Sequence, residues 1–185
     1  LHLSGNEWTD NRVQHADWPA LKEKMPFGQM PVLEVGDKMI PQSFAINRFL
    51  AKEFGFAGKC NYEAAWVDAL ADQYKDYYAE LKPFIYTLFG MKEGDLDALR
   101  KEVAEPARDK FFALIEKRLE ASTSGFLVGD SLTWVDLLIA EHVNFTSSKL
   151  SGFLDAFPKT LALSAKIYAC PKMKGYFEKR PDSKF

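Results

Sequence analysis

Three short stretches carry residue types that could do binding chemistry. Trp18 and Lys22 stand four apart. On a short helix that spacing puts an indole N–H and an ammonium on one face, a clamp for a carboxylate. It equally suits a core tryptophan beside a solvated lysine. Gly28-Gln29-Met30-Pro31 opens the apolar run Val32 to Val35. Proline cannot donate to a ladder and belongs at a strand's first residue, an edge or a bulge. Met30, ahead of it, is pushed to extended backbone. With a cis Met30-Pro31 bond, the Met30 N–H and C=O would turn away from the sheet and pair with an extended peptide. With a trans bond, Pro31 simply starts the strand. Gln42-Ser43 falls at a helix start. Ser43 suits an N-cap, and the amides there would also hold a carboxylate.

Further along, Asp68, Asp72 and Asp76 repeat every fourth residue. That is a solvated face, or an acidic stripe toward a partner or an ammonium group. The same segment carries Tyr74, Tyr77, Tyr78, Phe84, Tyr86 and Phe89. Part of that set is core, and the excess could line an apolar ligand pocket. His2, His15 and His142 share no metal-ligand spacing with Cys, Asp or Glu. No Ser-His-Asp set, phosphate-binding glycine loop or EF-hand is visible.

These residues must be positioned by two kinds of unit. Residues 6–13 read as a short strand, from Trp8, Thr9 and Val13. Asp17-Trp18-Pro19 starts a helix with Pro19 in its first position, running to about Met25. Val32–Val35 and Lys38–Ile40 flank Gly36-Asp37 as a β-hairpin. Ala45, Ile46, Phe49, Leu50 and Phe54 recur at helical spacing up to Gly55. The rest is helical: 62–90, bent or broken at Pro83; 95–121, with Pro106 inside; a helix after the capping box Thr133–Asp136; 159–169; and a basic one opened by Pro171. The domains are 1–56 and 62–185, an α/β unit followed by an all-α unit about twice its size.

Bulk properties narrow the field. At 185 residues and 47% hydrophobic the chain can bury a sizeable core. A net charge of -2 gives no basic footprint for nucleic acid. Cys60 and Cys170 fit reduced thiols in the cytoplasm. No apolar run reaches membrane-span length, and LHLSGNEWTD has no secretory signal. LHLSG reads as the last turn of a helix closing on Gly5, so residues upstream of Leu1 are expected.

Taken together, ADWPALKEKMPFGQMPVLEV, QSFAINRFLAKEFGFAG, GFLVGDSLTWVDLL and the ending RPDSKF resemble the cytosolic glutathione S-transferases. The nearest likeness is to the sigma class and related nematode enzymes. The resemblance spans essentially the whole chain. It implies α/β plus all-α architecture: a truncated thioredoxin-like N-terminal domain, lacking about twenty residues, and an all-helical C-terminal domain. It makes Met30-Pro31 cis. It assigns Trp18 and Lys22 to the glycine carboxylate of glutathione. Met30 pairs through its backbone with the cysteinyl part, next to Gly28 and Gln29. Gln42 and Ser43 take the γ-glutamyl carboxylate, and Asp76 reaches the γ-glutamyl ammonium across a homodimer. The box at Thr133 is then a folding motif. Glutathione is a co-substrate, and no cofactor or metal is implied. The activity implied is conjugation of the glutathione thiolate to small hydrophobic electrophiles in detoxification. Sigma-type prostaglandin isomerisation, or non-catalytic binding of apolar ligands such as haem or lipids, are the alternatives. The catalytic tyrosine of the family is expected upstream, since the first tyrosine here is Tyr62.

Overall fold

The structure, a computed structural model, describes residues 1–181 apart from the Lys174 side chain. The last four residues of the RPDSKF ending, 182–185, lie outside the described residues. Two compact units form: residues 1–57 together with the segment from Cys170 onward, and residues 58–169.

In the first unit a 3-10 turn at His2–Ser4 closes on Gly5, whose φ of 74° is the left-handed stop read from the sequence. Residues 6–13 do not form a strand. The described sheet has two strands only, β1 (Val32–Val35) and β2 (Lys38–Pro41), and they pair with each other. β-propensity without a ladder partner leaves that segment extended and mostly exposed. Helix α1 is Trp18–Lys22, with Pro19 second rather than first, and it stops short of Met25. The Lys24 and Met25 amides turn back to Leu21 O at 2.9 Å and Lys22 O at 3.2 Å, which tightens the chain after one helical turn. The hairpin forms as read, antiparallel, with Val32 opposite Pro41 and Val35 opposite Lys38. Gly36 takes a φ of 61° at its tip. Helix α2 (Ser43–Phe54) packs on both strands and ends at left-handed Gly55.

The second unit is helical throughout. Helix α3 (Asn61–Leu88) runs unbroken through Pro83. Proline costs the carbonyl four residues earlier its donor, and that residue, Ala79, is exposed to water. The 95–121 segment is not one regular helix. It comprises α4 (Leu96–Leu99), a π-helical turn (Arg100–Ala104) and α5 (Glu105–Glu120). Pro106 sits in the first turn of α5, where its missing N–H is tolerated. Helix α6 (Trp134–Lys149) packs on α7 (Pro158–Tyr168), and α3 on α5 and α6. Their core includes Val67, Phe84, Phe112, Ile115, Val135 and Ile139.

Two buried carboxylates hold this bundle by satisfying orphan helix-end amides. Asp136 accepts from the Leu127 N–H at 2.8 Å and from the Thr133 N–H and hydroxyl at 2.8 and 2.7 Å. The box is thus reciprocal and also anchors the preceding loop. Burial pushes the Asp136 carboxyl up from its ordinary range, and those hydrogen bonds oppose the shift. Glu116 of α5 caps α7 from outside, accepting from the Lys159 and Thr160 amides at 2.7 and 2.9 Å. Phe157, the N-cap of α7, has no side-chain acceptor of its own. The final helix, α8 (Pro171–Lys179), packs on the N-terminal turn, where His2 Nε2 lies 2.9 Å from Lys172 O.

Candidate active site

The hairpin register organises the site. Because Val32 pairs with Pro41, the residues before β1 and after β2 lie at the same hairpin end. Before β1 come Gly28, Gln29, Met30 and Pro31, and the Met30-Pro31 bond is cis. Met30 is 49% exposed, although it precedes an apolar strand.

After β2 a single residue, Gln42, links Pro41 to Ser43. A one-residue link between strand and helix demands a sharp change of direction. Gln42 makes it with φ 73° and ψ 115°, the sole positive φ of a described non-glycine residue. Such backbone costs about 1–3 kcal/mol and persists where surroundings over-determine it, often at functional sites. The N-cap of α2 is therefore Gln42, and Ser43 is the first helical residue, not the cap expected from its hydroxyl. The Ile46 N–H bonds to Gln42 O at 3.0 Å. The earlier amides of the first turn are the ones a helix cannot satisfy internally.

Side chains tie the two sides of this end together. Gln42 Nε2 donates to Gln29 Oε1 at 2.9 Å. The turn after α1 brings Gly28 back over Lys22, with the Gly28 N–H bonded to Met25 O at 3.0 Å. A Cβ on Gly28 would lie 3.6 Å from both Cγ and Cε of Lys22, and the φ of 59° favours glycine there. Lys22 is exposed and Trp18, one turn earlier on α1, is half-buried. The first unit thus offers an ammonium, an indole, two linked amides, an exposed residue before a cis proline and a helix N-terminus. That set suits an extended peptide with a carboxylate at each end.

Asp76 belongs to the second unit. It is exposed on α3, in the stripe with Asp68 and Asp72, and its charge adds a minor part to the raised pKa of Lys110, which is due first to the hydrogen bond with Glu80. The tyrosine-rich face divides. Tyr74 and Tyr77 are buried around His142, whose Nδ1 lies 3.1 Å from the Tyr74 hydroxyl. Its Nε2 lies 3.2 Å from the hydroxyls of Tyr77 and Thr146. Burial drives both phenols well above the ordinary tyrosine range and lowers His142 to about 4. These two tyrosines are core, whereas Tyr78 and Tyr86 are 37% and 43% exposed. Sequence reading missed a different feature: a cavity of about 580 Å³ between α3 and α5, lined by Trp66, Gln73, Leu114, Lys117, Arg118 and Phe126 among others. There the Arg118 guanidinium lies 4.1 Å from the Trp66 ring centre and its Nε donates to Leu127 O at 2.6 Å. No spacing in the sequence links Trp66 to Arg118. Among the described residues, no three His, Cys, Asp or Glu side chains gather as a metal site. No described helix is long and apolar enough to cross a membrane.

Comparisons with known proteins identify the family. Residues 7–52 match the N-terminal domain of glutathione S-transferases and residues 79–180 match their C-terminal domain. A probable glutathione S-transferase of Caenorhabditis elegans is 48% identical over 98% of this chain and 88% of its own length. A glutathione S-transferase of the hookworm Necator americanus, solved as a monomer, superposes with a TM-score of 0.96 at 49% identity, covering 100% of this chain and 90% of that one. A prostaglandin synthase D of Nilaparvata lugens superposes with a TM-score of 0.84 at 29% identity, covering 99% and 90%. This chain belongs to the glutathione S-transferase family.

Proposed function

We propose that the protein binds glutathione through its first unit and conjugates the thiol to small hydrophobic electrophiles. The observation that carries this reading is the convergence of Lys22 with Gly28, and of Gln29 with Gln42, at the hairpin end that bears exposed Met30. Lys22 and Trp18 would receive the glycine carboxylate, charge-assisted at the lysine. The Met30 N–H and C=O would pair with the cysteinyl residue as an added strand. Gln42, Ser43 and the α2 amides would receive the γ-glutamyl end. In the reaction the thiol passes its proton to solvent, the thiolate forms a bond to carbon, and the leaving group takes the displaced electron pair. Holding both reactants in one orientation supplies much of the acceleration. The group that favours the thiolate is assigned to no residue of this chain.

The finer parts rest on the family resemblance. The class is sigma-like, the role is detoxification, the compartment is the cytoplasm, and glutathione is a co-substrate rather than a cofactor. The working form is a homodimer in which Asp76 of one subunit meets the γ-glutamyl ammonium bound by the other. Two alternatives have an observation each. Prostaglandin isomerisation draws on the likeness to the prostaglandin synthase D of Nilaparvata lugens. Binding of apolar ligands draws on the cavity at Trp66 and Leu114, which is large enough for a small molecule. Retention on immobilised glutathione tests the main reading. The wild-type protein should be retained and the Trp18→Ala/Lys22→Ala double variant should pass through. Equal retention of the two would refute the carboxylate clamp.

A further inference from the structure

The core explains only one of the two tyrosine sets on α3. Tyr74 and Tyr77 are buried around His142, whereas Tyr78 and Tyr86 are exposed on the same helix. Eight residues apart, these two share a face with exposed Lys82, which lies midway between them. Helix α3 passes Pro83 without a break, so the row is continuous. The Tyr78 ring is anchored by stacking on buried Tyr74, with ring centres 6.0 Å apart. Its phenol is pushed above the ordinary tyrosine range, first by burial and then by the nearness of Tyr86. It therefore stays protonated and can donate a hydrogen bond.

The charge of this row is unbalanced. Between 77 and 88 the helix carries one acid, Glu80, and Lys110 of α5 takes it at 2.7 Å. Among the described residues, the Lys82 ammonium has no carboxylate partner. The row thus offers aromatic surface for a planar apolar group, and an ammonium and a phenol O–H for an anion. A cationic ligand would be repelled, and a wholly apolar one would leave the lysine unused.

We propose that Lys82, between Tyr78 and Tyr86, is a specificity-determining residue that favours electrophiles carrying a carboxylate on a planar ring. The inference rests on reading the protein as a glutathione transferase. It narrows that reading from small hydrophobic electrophiles to an anionic subset of them.

A matched pair of electrophiles, tested on the full chain with excess glutathione, decides it: 4-chloro-3,5-dinitrobenzoate and the corresponding benzamide. With either one, the thiol proton passes to solvent, the thiolate bonds to the ring carbon, and chloride leaves with the electron pair. The readout is the ratio of kcat/KM for the benzoate to that for the benzamide. Comparing this ratio between proteins cancels the difference in intrinsic reactivity. Lys82→Met should lower the ratio about fivefold, the upper end for a solvent-exposed ion pair, mainly through KM for the benzoate. Lys82→Arg should restore it. Raising the salt from about 0.05 to about 0.5 M should bring the wild-type ratio toward that of Lys82→Met. An equal ratio in wild type and Lys82→Met would overturn the proposal and leave the transferase reading standing. So would a fall that neither Lys82→Arg restores nor salt reproduces, because such a fall reports shape rather than charge. If the wild type conjugates neither compound, the transferase reading falls and this inference falls with it.

Discussion

Replacing His142 by glutamine should flatten the acid side of the stability curve. In the folded chain His142 is buried between α3 and α6 side chains, 5% exposed, and burial lowers its pKa from 6.5 to about 4. The unfolded chain therefore binds a proton more tightly than the folded one, and protons drive unfolding. The neutral imidazole's contribution is complete above pH 6.5 and is lost as the pH falls through about 4. At ~1.4 kcal/mol per tenfold change in proton concentration, that window is worth about 3 kcal/mol. Urea denaturation followed by circular dichroism at steps from pH 7 to 4.5 measures it. Between pH 6.5 and 4.5 the wild type should lose about 2–3 kcal/mol more than His142→Gln. Asp136 works in the opposite sense: its raised pKa gives a contribution present below its ordinary value and lost as pH rises. That contribution is shared by both proteins and cancels in the difference. Parallel curves for the two proteins would refute the buried neutral imidazole.

Three other substitutions probe backbone strain. Gly58→Ala should destabilise by more than about 2 kcal/mol, because at φ 99° its Cβ would lie 2.7 Å from Glu63 Cβ and 3.1 Å from Ala64 N. Gly5→Ala has a φ of 74° but nothing within 4 Å, so urea midpoints should show only the roughly 1 kcal/mol left-handed cost. Gln42→Gly should raise stability by about 1 kcal/mol through relief of its backbone. The same variant should lose glutathione affinity in calorimetry, so that stability and binding move in opposite directions.

Local chemistry made much of this architecture legible. Gly36-Asp37 between two apolar runs gave the hairpin, and Thr133 with Asp136 gave the start of α6, because those signals lie within a few residues of what they shape. Residues 6–13 failed because a strand is defined by its partner, and propensity at Trp8 and Val13 says nothing about one. Ser43 looked like a cap because its hydroxyl suits that role. The length of the β2–α2 link decided otherwise and put Gln42 in a backbone region glycine would prefer. The tyrosines of α3 showed helical spacing but not which face was covered. That depended on α5 and α6, and on His142 pairing with two of the hydroxyls, one at each ring nitrogen. At the candidate site, Lys22, Gly28, Gln29 and Gln42 could be named from motif, whereas the Gln29–Gln42 pairing required the hairpin register and the Lys22–Gly28 approach the turn after α1.

The most direct measurement is a glutathione titration of the isotope-labelled chain followed by backbone amide chemical shifts. The account predicts that shifts concentrate at Trp18, Lys22, Gly28 to Met30 and Gln42 to Ala45, leaving the amides around Trp66 and Arg118 unmoved. Shifts confined to the Trp66 and Arg118 cavity, with the hairpin end unchanged, would contradict it.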